Sequence, residues 1–168
     1  FGSSGPDEAF GVAVDRTGNI IVAGHLMGTL PGQTSAGYDD AFVQKLSPAG
    51  TELWTRQFGS PRSTQAFGVA VDGAGNIFVA GATADALPGQ KQVGASDGYV
   101  REYSPAGVEL WTRQFSSSSR SVLQPGPNAS TTILPSVKPS GVGVDGRGQV
   151  IVVGDTNGDM LGQTIAGN

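Results

Sequence analysis

Apolar and polar positions alternate over short runs of this chain, and the runs return in the same order. In GVAVD, Val12 and Val14 alternate with smaller residues, and Arg16-Thr17-Gly18 supplies a tight turn. The run Asn19–Ala23 that follows is apolar, β-branched and of strand length, too short for a typical helix. Alternation resumes in AFVQKL at Ala41–Leu46, and Ser47-Pro48-Ala49-Gly50 places Pro and Gly where a turn uses them. ELWTRQF at Glu52–Phe58 reads as a fourth strand. No segment carries a helical period, so the pattern predicts an antiparallel four-stranded unit.

That unit repeats. Displacing the chain by 57 residues aligns Glu8–Phe58 with Gln65–Phe115, and 31 of the 51 pairs are identical. AFGVAVD recurs at Ala9–Asp15 and Ala66–Asp72, and ELWTRQF at Glu52–Phe58 and Glu109–Phe115. A third, more diverged copy reads GVGVDGRGQVIVVG at Gly141–Gly154, then LGQT at Leu161–Thr164. Its offset from the second is 73 against 57, so 16 extra residues precede it. Periods of this length mean a stacked or radial repeat architecture. Four antiparallel strands repeated radially describe an all-β fold of β-propeller blades. The expected units are 1–57, 58–114 and 115–168, the last with a Ser/Pro-rich insertion at about 116–140 that reads as an extended surface loop. Phe1-Gly2-Ser3 aligns with Phe58-Gly59-Ser60, and Asn168 with Tyr38. The expectation is therefore a partial propeller of about two and a half blades, either a piece of a longer chain or one completed by other chains.

DRTGNIIVAG and DGAGNIFVAG, followed by GYDDAFVQKLSPAGTELWTRQFGS, resemble the bacterial β-propeller repeat abbreviated SBBP. That pattern runs Asp, a short turn, Gly-Asn, an apolar strand and Ala/Thr-Gly. A Gly-x-Asp-Ala-Phe-Val-x-Lys strand, a Gly turn and Leu-Trp then follow. The third copy departs from it, with Gln149 in place of the Asn. The resemblance implies a propeller module of a secreted or surface-attached bacterial protein, and it brings no shared catalytic residues.

Composition agrees with many short strands and tight turns: 27 glycines and 10 prolines, with 38% hydrophobic and only 14% charged residues. A net charge of −4 with scattered basic residues lacks the clustered basic face a nucleic-acid partner needs. No apolar run is long enough to span a membrane as a helix. Zero cysteines exclude disulfides and thiolate metal sites. The start FGSSGPDEAF has neither Met nor a signal-peptide pattern, and reads as an excised piece of a longer product.

Because strand direction alternates, the long connections after the second and fourth strands share one end: His25–Asp40, Ala82–Asp97 and Ser116–Ser140. A rigid scaffold with long loops on one side is the usual arrangement of a binding surface. Catalysis has thin support. His25 is the only histidine, its counterparts are Ala82 and Asp155, and no Gly-x-Ser-x-Gly elbow occurs. It reads as a loop histidine rather than a base.

Asp15, Asp72 and Asp145 each precede a Gly-containing turn and suit acceptors of turn amides better than metal ligands. Asp40 and Asp97 open the third strand and suit loop anchoring better than acid–base work. Asp39 and Asp40 are adjacent, so a strand points them to opposite faces. Asp155, Asn157 and Asp159 alternate like the start of a calcium loop, but no Glu follows Glu109 to complete one. They are a weak metal candidate set beside a plain polar loop, and no cofactor is expected. Trp54 and Trp111 read as covers for the gap between blades, with Arg56 spaced for cation–π stacking on Trp54. Sugar stacking is the alternative. Asn128-Ala129-Ser130 fits the N-glycosylation pattern.

These features add up to the expectation of a non-enzymatic extracellular or cell-surface module for adhesion or recognition, binding a protein or glycan through the long-loop face. One alternative is a structural subunit of a filament or layer assembled by strand complementation. Another is a fragment of a propeller hydrolase or lyase. The expected partners are other blades of a longer chain, or neighbouring subunits that complete the propeller.

Overall fold

The computed structural model of the chain describes residues 2–117, 120–123, 130–133 and 136–157, and no helix occurs among them. Strands β1 (Asp7–Val14), β2 (Ile20–Leu26), β3 (Asp40–Leu46) and β4 (Glu52–Phe58) form one antiparallel sheet in chain order. A second sheet repeats the plan with β5 (Thr64–Val71), β6 (Ile77–Thr83), β7 (Asp97–Tyr103) and β8 (Glu109–Phe115). The stretch expected to be an extended loop differs from that expectation. It holds a hairpin of β9 (Arg120–Leu123) and β10 (Ser130–Ile133), and then the start of β11 (Val137–Val144). Four-residue strands are too short to display the alternation by which longer ones are read. β11 pairs with β12 (Val150–Thr156) in the register of the first two strands of the other sheets.

Each first strand ends in one recurring turn. Asp15 Oδ1 accepts hydrogen bonds from the Thr17 and Asn19 backbone N–H, both 2.9 Å. Asp72 does the same for Ala74 and Asn76, and Asp145 for Arg147 and Gln149. Glycine follows where the backbone turns left-handed, at Gly18, Gly75 and Gly148 with φ of 82°, 89° and 78°. The three aspartates are thus turn acceptors. In the first two copies the Asn side chain adds a bond to the second carboxylate oxygen, 2.9 Å for Asn19 and 3.0 Å for Asn76. Gln149 reaches Asp145 through its backbone N–H.

The sheets converge on their first strands, where glycine lets backbones approach. A Cβ on Gly11 would stand 3.0 Å from Val69 N, and one on Gly68 would stand 2.9 Å from Gly141 Cα. Each sheet is also tied to the next, by Thr64 N–H donating to Asp39 O (2.7 Å) and Val137 N–H donating to Ser96 O (2.9 Å). The main core lies between the first and second sheets: Ile21, Ala23, Val43 and Phe58 pack with Val69, Ile77, Val79, Tyr99 and Tyr103. β6 is almost wholly buried, as its unbroken apolar run anticipates. The flanking sheets differ: Val12 is 69% exposed where its counterpart Val69 is 9%, and Ile151 is 55% exposed where Phe78 is 4%.

Candidate functional site

The loops after β2 and β6 are built to hold still. Asp40 Oδ2 accepts from Ala36 N–H (2.8 Å) and from the Gln57 amide (2.7 Å), which also donates to Gly28 O (2.9 Å). Gln57 Oε1 in turn accepts from Leu30 N–H at 2.9 Å. The second sheet copies this: Asp97 accepts from Val93 N–H, Gly94 N–H and the Gln114 amide, and Gln114 Oε1 accepts from Leu87 N–H. Asp40 and Asp97 therefore anchor loops, and the glutamine of ELWTRQF is their partner. A buried carboxylate sharing its oxygens among several N–H donors makes strong, charge-assisted bonds.

Beside these loops the first strands carry a β-bulge at one fixed place. Their ladders shift register between Ala9 and Gly11, between Ala66 and Gly68, and between Pro139 and Gly141. The extra residues are Phe10, Phe67 and Ser140, and a bulge re-aims the side chain it carries. Phe10 is 51% exposed. Its ring stacks on His25 with centroids 5.3 Å apart and 9° between planes, and it meets Phe67 edge-on at 5.7 Å. The Lys138 ammonium lies 4.9 Å from the Phe67 ring centre. Glu8 Oε2 is 3.8 Å from His25 Nε2. One acid, one cation and two aromatic faces thus stand in a row across the three first strands.

His25 lies between the Phe10 ring and the Gln65 amide. Gln65 Nε2 lies 3.4 Å from His25 Nε2 and donates to Asp39 Oδ2 at 2.7 Å, standing between the two. The Ser63 hydroxyl donates to that same Asp39 oxygen at 3.1 Å. The Gln65 amide thus stands at Nε2, and the Phe10 ring covers the imidazole face. Asp39 and Asp40 serve different networks, in line with their opposite faces.

Trp54 lies between the first and second sheets, whereas the ring contact of Trp111 is within its own sheet. Trp54 Nε1 donates to Pro105 O (3.1 Å), Arg56 Nε donates to Gly107 O (2.8 Å), and the Arg56 guanidinium sits 5.6 Å from the Trp54 ring centre. Trp111 packs on Phe78 with centroids 6.3 Å apart. Of the weak metal candidates, Asp155 sits opposite Lys138 in the ladder, and Asn157 Oδ1 accepts from Ser136 N–H at 2.7 Å. Asp159 lies outside the described residues, as does Asn128 of the sequon. Among the described residues no three His, Cys, Asp or Glu side chains come together to hold a metal ion.

Sequence reasoning found the loop anchors and missed Glu8, Phe10, Gln65, Phe67 and Lys138. The available signal was the identical Ala-Phe-Gly in both AFGVAVD copies, which places a large ring beside a glycine on a first strand. Comparison with curated proteins gives no match. Residues 53–85, running from β4 through β6, match the family model of the SBBP beta-propeller repeat.

Proposed function

We propose that the chain forms about two and a half blades of a β-propeller. It would serve as a non-enzymatic module of a secreted or cell-surface bacterial protein, binding a protein or glycan through its long-loop face. The observation that carries this reading is the exposed Phe10 ring, backed by His25 and flanked by Glu8, Phe67 and Lys138. Aromatic rings with adjoining charges are the residues that anchor interfaces. Rigid supports hold them: a bulged strand beneath, and loops pinned through Asp40 and Asp97 beside. The non-enzymatic part rests on the Gln65 amide, which stands between His25 Nε2 and the Asp39 carboxylate.

The test is a glycan array and a pull-down from bacterial surface extracts, run with the chain and with Phe10→Ala. A ligand held by the wild type at least about tenfold more tightly than by the variant supports the reading. Two empty assays with a folded wild type would sink it. Cleavage of a polysaccharide by the full-length product, abolished by changing a loop carboxylate, would overturn the non-enzymatic part.

A further inference from the structure

Where the first and second sheets meet, a cavity of about 230 Å³ opens among their short turns, at the end away from the long loops. Its walls are the turn after β1 (Asp15–Thr17), Lys45 of β3, the Gly73–Gly75 turn after β5, and Pro105 in the turn after β7. Lys45 is only 5% exposed, and a buried ammonium is costly unless its N–H groups find acceptors. It has three of them. One goes to Asp15 Oδ2 at 2.9 Å. A second makes a long contact of 3.5 Å with Pro105 O, which already accepts from Trp54 Nε1 at 3.1 Å. No third acceptor for Lys45 Nζ occurs among the described residues.

Asp15 has nothing left to offer a ligand. Its oxygens accept from the Thr17 N–H and hydroxyl, the Asn19 N–H and side-chain amide, and Lys45. That matches or exceeds the roughly four lone-pair sites of a carboxylate, so a metal ion would find no free oxygen there. The turn does not need the lysine either. Asp72 makes the same backbone bonds in the second sheet, where Glu102 stands in place of Lys45. Arg16 is exposed at the cavity wall and has no carboxylate partner among the described residues. Two cations and one spent carboxylate leave the cavity with a surplus positive charge and spare donors.

We propose that this cavity binds a small monocarboxylate. The ligand's carboxylate accepts from the remaining Lys45 N–H and from the Arg16 guanidinium, whose planar fork suits a carboxylate. Its carbon frame rests against Pro105 and Ala74, which line the cavity. A single surplus positive charge matches a monoanion, whereas a phosphate dianion would bring a second negative charge with no partner, a costly thing to bury. Size narrows the class. Drug-sized ligands occupy pockets of about 300–1,000 Å³, so this smaller cavity takes a carboxylate on a frame of a few carbons, such as a short hydroxy acid. The site lies at the opposite end from the Phe10 row, and it stands whether or not the long-loop face binds anything.

The probe is lactate titrated into the full chain, with binding read from the backbone amide resonances of Arg16, Gly73 and Gly75 and by calorimetry. Saturable shifts at these three amides are expected, with none at Phe10 or Phe67. Lactamide, which has the same shape without the charge, should bind at least about tenfold more weakly, the worth of a charge-assisted hydrogen bond. Lys45→Met should weaken lactate by a similar factor. Arg16→Gln changes an exposed residue, so it leaves melting unchanged and weakens lactate about threefold. That comparison decides the matter should the lysine variant fail to fold. Absence of lactate binding, equal binding of lactamide, tighter binding of phosphate, or an Arg16→Gln chain that binds as tightly as the wild type would overturn the proposal. So would a tetraglutamate peptide that binds where lactate does not, by assigning the cavity to an acidic protein segment.

Discussion

Lys45 Nζ sits 2.9 Å from Asp15 Oδ2, with the two side chains 6% and 7% exposed. Burial alone would raise the Asp15 pKa, but hydrogen bonds from Asn19, Lys45 and Thr17 outweigh it and hold the carboxyl well below the usual carboxylate range. A group depressed in the folded state stabilises it above the unfolded carboxyl pKa of about 3.9, and that contribution is lost as pH falls below it. Asp15→Asn therefore costs about 2 kcal/mol at pH 7. The gap should narrow at pH 3, which urea unfolding at the two values measures; an unchanged gap would remove the charge from the explanation. Asp97 gives a second test. It is fully buried and accepts three N–H groups. Asp97→Ala strands those donors, costing about 2–4 kcal/mol and speeding amide exchange in the loop after β6. Both aspartate roles were legible in the sequence because most partners lie two to four residues away. The Lys45 pairing was not, since its partner is 30 positions distant (45 − 15) and the second unit has Glu102 in that place.

ELWTRQF shows what a strand means once it has neighbours. In β4 its arginine bonds Gly107 O and Thr55 O and stacks on Trp54. In β8 the same residue is exposed. Arg56→Ala should therefore lower stability by about 1–2 kcal/mol through its two bonds to backbone carbonyls. Arg113→Ala should stay within about 0.5 kcal/mol, as surface changes do. Paired denaturation curves decide it, and equal losses would mean that the heptad acts within its own sheet. Strand existence and turn positions were readable at this scale, because period-two alternation and Pro/Gly placement are local. The bulges were not. A register shift depends on how β2 meets β1, and the Ala-Phe-Gly string alone does not display it. Glu8, Gln65 and Lys138 fall into one row only when three separate first strands are brought side by side.

At the scale of the whole molecule, the two four-stranded sheets share one core and should unfold together. Tyr99 and Tyr103 sit in that core, two of the three tyrosines in the chain. Burial pushes Tyr103 up to about 12 against the opposing pull of Arg101, and pushes Tyr99 up further for the same reason. These phenols are neutral in the folded chain, while an unfolded tyrosine ionises near pH 10. The sign follows: the stability they lend is whole below about pH 10 and drains away as pH climbs through the raised values. Alkali should therefore unfold both sheets in one transition. The ultraviolet absorbance of two phenolates should appear together with the loss of β-sheet circular dichroism, and not before it. In a Tyr99→Phe, Tyr103→Phe double variant the core keeps its rings, the ionisation drive disappears, and the alkaline midpoint moves to higher pH. A phenolate signal that rises while the sheet signal stays intact would mean that the core between the sheets opens without unfolding them, and the two sheets would then be separate folding units.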